Sequence, residues 1–256
     1  MKGDRGRHER QPRDPACRKH GNLPAALFEG RRPSTLTRGG RVAIVECQTV
    51  PSLLLATGNP GKVREMRAAL AGAGVRLLGL PDLSGSRPEE PEETGEGFLA
   101  NAAIKALHYE VATGLPALAE DSGLEVDALD GGPGVRSARW LGRDTPYPEK
   151  NRRLLELLAA NPARGRGARY RSAVAVAVAG RIVFRSTGMV EGTIAPAPRG
   201  RGGFGYDPVF LVPEFGRTMA ELGLEEKERI SHRGRALRPA VRFLRAALAA
   251  HPPILP

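Results

Sequence analysis

The chain is poor in sulfur and in rings. Its 256 residues include two cysteines, one tryptophan and only 5% aromatic side chains. Both cysteines, Cys17 and Cys47, fall in the first fifty residues, which excludes a disulfide framework or a cysteine-built metal site for the remainder. A reducing cytoplasm is the compartment expected of such a chain. No apolar run approaches the ~20 residues needed to span a bilayer, so no membrane partner is expected. The opening MKGDRGRHERQPRDP lacks the apolar stretch of a secretory signal. Acid is short relative to base, with 28 Asp+Glu against 39 Lys+Arg and a net charge of +11. That excess is uneven: residues 1–50 hold 11 basic and 5 acidic side chains, a balance of +6, and the rest hold 28 and 23.

Residues 1–50 are rich in Arg, Gly and Pro and show no sustained helical or strand period. They are expected to be a disordered extension, or sequence upstream of the true start, with one short strand at Val42–Glu46. An arginine-rich arm can hold nucleic acid, yet a merely solvated arm is the commoner case, so a nucleic-acid partner is not expected. Residues 51–256 are long enough for one domain with a sizeable core. They alternate short apolar runs with amphipathic segments, which argues an α/β fold.

The most informative segment is Leu53–Lys62, LLLATGNPGK, followed at once by VREMRAAL. It reads as a buried strand, a tight glycine-rich turn and a helix N-terminus, a construction suited to phosphate. It is not the Walker loop, which would need glycine at Ala56 and Ser or Thr at Val63. Four further segments accompany it. Glu92-Glu93-Thr94-Gly95 ends an acidic loop, and Glu120-Asp121-Ser122-Gly123-Leu124 follows the apolar run Leu115–Ala119. Gly202-Gly203-Phe204-Gly205-Tyr206-Asp207-Pro208 precedes the apolar run Val209–Val212, and Ser231-His232-Arg233-Gly234 lies near the C-terminus.

Taken in this order from about Leu53 to Ala250, the five motifs resemble the inosine triphosphate pyrophosphatase family. Two positions depart from the usual pattern: Ala100 stands where bacterial members often carry Glu, and Glu120 replaces the first Asp of D-D-S-G-L. The resemblance implies an elongated mixed α/β sheet flanked by helices, with the active cleft between two lobes. It also implies a homodimer, and Mg²⁺-dependent hydrolysis of the inosine, deoxyinosine and xanthosine triphosphates (ITP, dITP, XTP) to monophosphate and pyrophosphate. The role of general base and metal ligand falls on Asp121.

The residues themselves support that chemistry. A triphosphate brings about four negative charges to be neutralised, and its leaving pyrophosphate must be stabilised. Thr57, Gly58, Asn59, Pro60, Gly61 and Lys62 are the phosphate loop, with Lys105, Lys227 and Arg233 as further cations. Mg²⁺ is typically held by one or two carboxylates plus substrate oxygens, which fits Glu93 and Asp121, with Glu120 behind them. Ser122 belongs to the same strand end. Phe204, between glycines, offers a flat face to a purine. Gly205, Tyr206, Asp207, Ser231, His232 and Arg233 supply its surroundings and polar edge. No G-x-S-x-G elbow exists, so a serine nucleophile is not expected. The rival readings are a pyrophosphatase of similar fold acting on modified pyrimidines, and a nucleic-acid-binding protein using the basic N-terminal segment.

Secondary structure is expected as a strand at Leu53–Ala56, a helix at Lys62–Ala71 and a helix at Gly97–Ala112 carrying the polar stripe Asn101, Lys105 and His108. Two strands, Leu115–Ala119 and Leu124–Ala128, are expected around a Ser122-Gly123 turn. A helix follows at Asn151–Ala160. A hairpin pairs Tyr170–Ala179 with Ile182–Thr187, with Met189–Ile194 continuing the sheet. The C-terminal helix, Glu225–Ala250, is expected to be interrupted by Gly234 and Pro239.

Overall fold

A computed structural model of the chain describes residues 50–250. The readings made for the N-terminal extension, its strand at Val42–Glu46 and both cysteines lie outside these residues. The described residues form one seven-stranded mixed sheet in the order β2-β1-β3-β4-β5-β6-β7. The strands are β1 (Ser52–Leu55), β2 (Arg76–Gly79), β3 (Ala117–Val126), β4 (Gly167–Val178), β5 (Arg181–Ile194), β6 (Phe210–Val212) and β7 (Arg217–Thr218). Five α-helices pack with them: α1 (Pro60–Ala69), α2 (Phe98–Thr113), α3 (Tyr147–Ala160), α4 (Leu224–Ile230) and α5 (His232–Ala249). The expected α/β class is observed.

Strand β1 pairs in parallel with β2 and β3, and every later pairing is antiparallel. Because β1 is covered on both faces, its leucines need no alternation. Leu53 and Leu55 pack with α1 and α5, while Leu54 packs with α2. A third apolar cluster, around Tyr170, Tyr206 and Phe210, fills the far end beneath α3. The hairpin β4–β5 turns at Ala179 and Gly180, both at positive φ, as a two-residue turn that matches the strand twist requires.

Three expectations are corrected. Residues 117–126 form one continuous strand, without a turn at Ser122-Gly123. Gly123 is there for close approach: a Cβ would overlap the Gly134 carbonyl and Ser137 Oγ, which pack against the strand. The C-terminal helix breaks at Ser231, which caps α5 by accepting from the Gly234 amide at 3.1 Å, and not at Gly234. Pro239 lies inside α5 without ending it. Proline forfeits one backbone bond there, but the buried face Ala236, Leu237, Ala240 and Leu244 holds the helix to the sheet. Strand β2 had no signal that the sequence reading used.

Candidate active site

The site is organised by the two faces of β3. Successive strand residues point to opposite faces, so the adjacent acids Glu120 and Asp121 part company. Asp121 shares its face with Ala117 and Ala119, against α2. Glu120 shares its face with Leu118, against α1 and α5. A cavity of ≈ 360 Å³ opens at this point. It lies between the α2 cluster, which contributes Ala56 and Tyr109, and the far cluster, which contributes Leu124, Tyr170 and Tyr206.

On the α2 face, Lys105 Nζ lies 2.8 Å from Asp121 Oδ1 and 2.7 Å from Glu93 Oε1. Asn101 Nδ2 donates to Asp121 Oδ2 at 3.3 Å, and its Oδ1 accepts the Gly95 amide at 2.8 Å. Thus one turn of α2 fixes both Asp121 and the end of the acidic loop. Arg139 binds the other oxygen of Glu93. His108, the third member of the polar stripe, turns away and donates to the Glu89 carbonyl at 2.8 Å. Burial pushes the Asp121 carboxyl above its ordinary value despite the Lys105 ammonium. Burial also acts on Glu93, but Lys105 and Arg139 prevail and hold it down to about 2. The two carboxylates raise Lys105 against the opposing effect of its burial.

On the other face a chain of alternating charges runs through the interior. Lys62 Nζ lies 2.9 Å from Glu120 Oε2, and Arg233 lies 3.2 Å from Glu120 Oε1. Ser172 Oγ donates to Glu120 at 2.7 Å, and Arg233 donates to Ser122 Oγ at 3.1 Å. Arg233 also binds Glu65, whose second oxygen lies 2.5 Å from Lys227 Nζ. Lys227 continues to Asp207 at 2.6 Å. Burial opposes the charge on Glu120, but Arg233 and Lys62 hold its carboxyl well below the usual range. Glu120 therefore serves the cations of the α1–α5 side and does not support Asp121, correcting its expected place behind the metal ligands.

Lys227 is corrected similarly. It is buried behind the cleft wall, with its ammonium 5.0 Å from the Phe204 ring centre. The Arg233 guanidinium lies 5.3 Å from the same ring. Gly61 packs against Phe204, where a Cβ would overlap the ring. Phe204 is thus seated on two cations and on the first turn of α1, and it also lines the cleft.

Around Phe204, Asp207 accepts the Phe204 amide at 2.7 Å and the Tyr170 hydroxyl at 3.3 Å. Burial raises its carboxyl even beside Lys227. The His232 ring stacks on Tyr170, with centres 4.5 Å apart and planes 13° off parallel. Burial, then the neighbouring Arg233, push His232 well below its ordinary value, so the ring is neutral, and Nδ1 has no partner among the described residues. Tyr206 is largely packing, its hydroxyl donating to the Ser137 carbonyl at 3.1 Å.

The phosphate loop differs in detail from its sequence reading. Asn59 caps α1, its Oδ1 accepting the amides of Gly61 at 2.9 Å and Lys62 at 3.1 Å. The Asn59 amide donates to Thr57 Oγ1 at 3.2 Å, and that of Thr57 to the Leu55 carbonyl at 2.9 Å. Pro60 has no amide to give. Of the expected cradle, only the Gly58 N–H lacks an acceptor among the described residues. Thr57, Gly58, Asn59, Lys62, Ser122, Gly205 and Asp207 line the cavity, whereas Pro60 and Gly61 do not.

Residues 53–243 match the Ham1 family. The chain belongs to it. A dITP/XTP pyrophosphatase of Symbiobacterium thermophilum is 54% identical over 201 residues, covering 77% of this chain and 96% of that protein. One from Thermus thermophilus is 53% identical over 186 residues, 73% of this chain and 88% of its own. A solved Ham1 protein from Coxiella burnetii superposes with a TM-score of 0.67 at 39% identity, over 78% of this chain and 98% of that one. The enzyme class expected from the resemblance, a hydrolase of triphosphate anhydride bonds, is that of the two dITP/XTP pyrophosphatases.

Sequence reasoning missed two residues of this Ham1 site. Glu65, one turn after Gly61 on α1, bridges Lys227 and Arg233. Arg139 ties Glu93 to the segment after β3. The donor set also bears on a metal. Among the described residues no three His, Cys, Asp or Glu side chains gather as a dedicated metal cage. Two carboxylates sharing one ammonium suit Mg²⁺, which relies on substrate oxygens and water for the rest of its shell.

Proposed function

We propose that this Ham1 chain hydrolyses ITP, dITP and XTP between the α- and β-phosphates, giving the monophosphate and pyrophosphate. The carrying observation is the pairing of Glu93 and Asp121 around Lys105 in the wall of a cleft that Phe204 and neutral His232 also line. Glu93 and Asp121 would hold Mg²⁺, whose contribution when bound is to lower the pKa of water and to offset phosphate charge. Asp121 accepts the proton of the attacking water. Lys105 keeps both carboxylates in place, and Lys62, steadied by Glu120, faces the phosphates. Phe204 stacks on the base, and His232 presents a neutral polar edge to it.

Hypoxanthine and xanthine carry a 6-oxo acceptor and an N1–H donor, and adenine reverses both. Two unpaired groups at about 1–3 kcal/mol each give roughly 10²–10⁴ in discrimination against ATP. A panel of nucleoside triphosphates with Mg²⁺ tests the reading. Pyrophosphate should appear, heavy oxygen from water should enter the monophosphate, and ITP and XTP should exceed ATP in kcat/KM by that factor. Orthophosphate as the first product, or equal kcat/KM for ATP and ITP, would overturn it.

We also propose a homodimer, supported by the family resemblance, and a reducing cytoplasm, supported by the scarcity of cysteine. Among the described residues no helix is long and apolar enough to cross a membrane.

A further inference from the structure

The cations of the cleft are almost all spent on the protein's own acids. Lys62 faces Glu120, Lys105 faces Glu93 and Asp121, and Arg233 faces Glu65 and Glu120. A triphosphate entering with about four negative charges meets a wall already neutralised. Arg87 is the exception: it lines the same cavity and has no carboxylate within 4 Å among the described residues. Its guanidinium lies directly against Gly58, where a Cβ would overlap it. Gly58 is also the loop residue whose N–H lacks an acceptor. Among the described residues, a guanidinium without a carboxylate and an amide without an acceptor therefore meet at one point of the loop.

A second cavity of ≈ 420 Å³ begins on the far side of that point, sharing Thr57, Gly58 and Arg87 with the first. Arg64 and Arg67 line it as well, and Arg67 is held by Asp82 at 2.8 Å. Arg87 thus stands at the rim where the phosphate loop opens to solvent, shared by the two cavities.

We propose that Arg87, together with the Gly58 amide, binds the two terminal phosphates of the substrate and the same two phosphates as leaving pyrophosphate. This rests on the pyrophosphatase reading above and adds a residue that sits in none of the five motifs. A planar guanidinium matches a phosphate oxygen pair, and such charge-assisted bonds are stronger than neutral ones. Arg87 is exposed and packs on no core cluster, so replacing it should leave the fold intact.

The test compares the unmodified enzyme with Arg87→Gln and Arg87→Lys, using ITP as substrate and pyrophosphate and IMP as inhibitors. For Arg87→Gln, KM for ITP and the inhibition constant of pyrophosphate should each rise about tenfold, the loss expected for one charge-assisted hydrogen bond. The inhibition constant of IMP, kcat at saturation and the Mg²⁺ requirement should stay within twofold. Arg87→Lys should recover part of the loss. A fall in kcat or in Mg²⁺ affinity, with pyrophosphate inhibition unchanged, would mean that Arg87 merely steadies the loop bearing Glu93, and would overturn the proposal. Unchanged constants throughout would also overturn it, while leaving the pyrophosphatase reading intact. That reading would instead fail if the unmodified enzyme did not release pyrophosphate from ITP.

Discussion

The two faces of β3 carry opposite kinds of charge cluster from adjacent residues. On the Glu120 face, six ionised groups alternate in sign from Lys62 to Asp207, and Glu65, Lys227 and Arg233 are each at most 7% exposed. Each cation beyond Lys62 touches two acids, so no single rearrangement frees one. On the Asp121 face there are two acids and two cations, and one acid, Glu93, rides on a loop. Its partner Arg139 keeps a third of its side chain exposed. The first cluster is built to hold its geometry and the second to exchange partners. Burying a charge network stabilises little on balance but penalises any missing member, so the Glu120 side fixes Lys62, Arg233 and Phe204 in position. On the proposed reading the Asp121 side admits the cation, since among the described residues Lys105 is the one group shared by the two carboxylates.

The sharpest test of that division is Asp121→Asn. It removes the proposed proton acceptor while Lys105 retains Glu93, and because burial already disfavours the charged form of Asp121, folding should change little. Turnover should fall about 10²–10⁴-fold, the ordinary contribution of a general base. If the folded variant kept more than about a tenth of normal kcat at saturating Mg²⁺, within the range a base contributes, Asp121 would not be the base.

The opposite pattern is expected for Glu65→Gln. The substitution leaves Lys227 with Asp207 and Arg233 with Glu120, yet removes the acid between them. Breaking a buried pair costs about 3–5 kcal/mol, and the remaining partners put the expected loss near the lower bound. Denaturant unfolding measures it, and a loss below about 1 kcal/mol would show that the network does not hold the site together. The pH dependence gives an independent check. Burial opposes ionisation of Glu65, but Arg233 and Lys227 prevail and keep its carboxyl below the usual 4.5. A lowered acid stabilises the fold above its unfolded pKa, and that contribution is lost as pH falls through the folded value. The stability gap between the two proteins should therefore be full at pH 7 and shrink below pH 4.5.

Much of this is legible in the sequence alone. The triple leucine of β1, the alternation of β4 and the five motifs located the strands and most of the cleft wall, because each is a local pattern. What escaped was non-local. Glu65 reads as an ordinary acid on an amphipathic helix, and its partner Arg233 is 168 positions away. Gly123 gives the same signal for a turn as for a close approach, and only the presence of Gly134 against the strand decides. Pro239 breaks helices in isolation, but tertiary burial of α5 outweighs it. Arg87 carries no motif at all; its meaning comes from the acids it does not touch.

The smallest effect is expected from removing Met1–Thr49. This takes away 11 basic and 5 acidic side chains, a change of −6 in net charge, and none of the five motifs. The Ham1 match begins only at residue 53, and every pair in both clusters of β3 lies beyond it. Charge that acts only through solvent is screened, its field decaying within about 8 Å at physiological salt. The truncated protein should therefore match the full chain in unfolding midpoint and in kcat, and in KM at 0.15 M salt to within about twofold. A difference in KM that grows as salt is lowered would reveal long-range attraction of the polyanionic substrate by the N-terminal arginines. A tenfold loss of kcat/KM that persists in high salt would instead place those residues in the cleft, and the charge balance assigned to the two faces of β3 would have to be redrawn to include them.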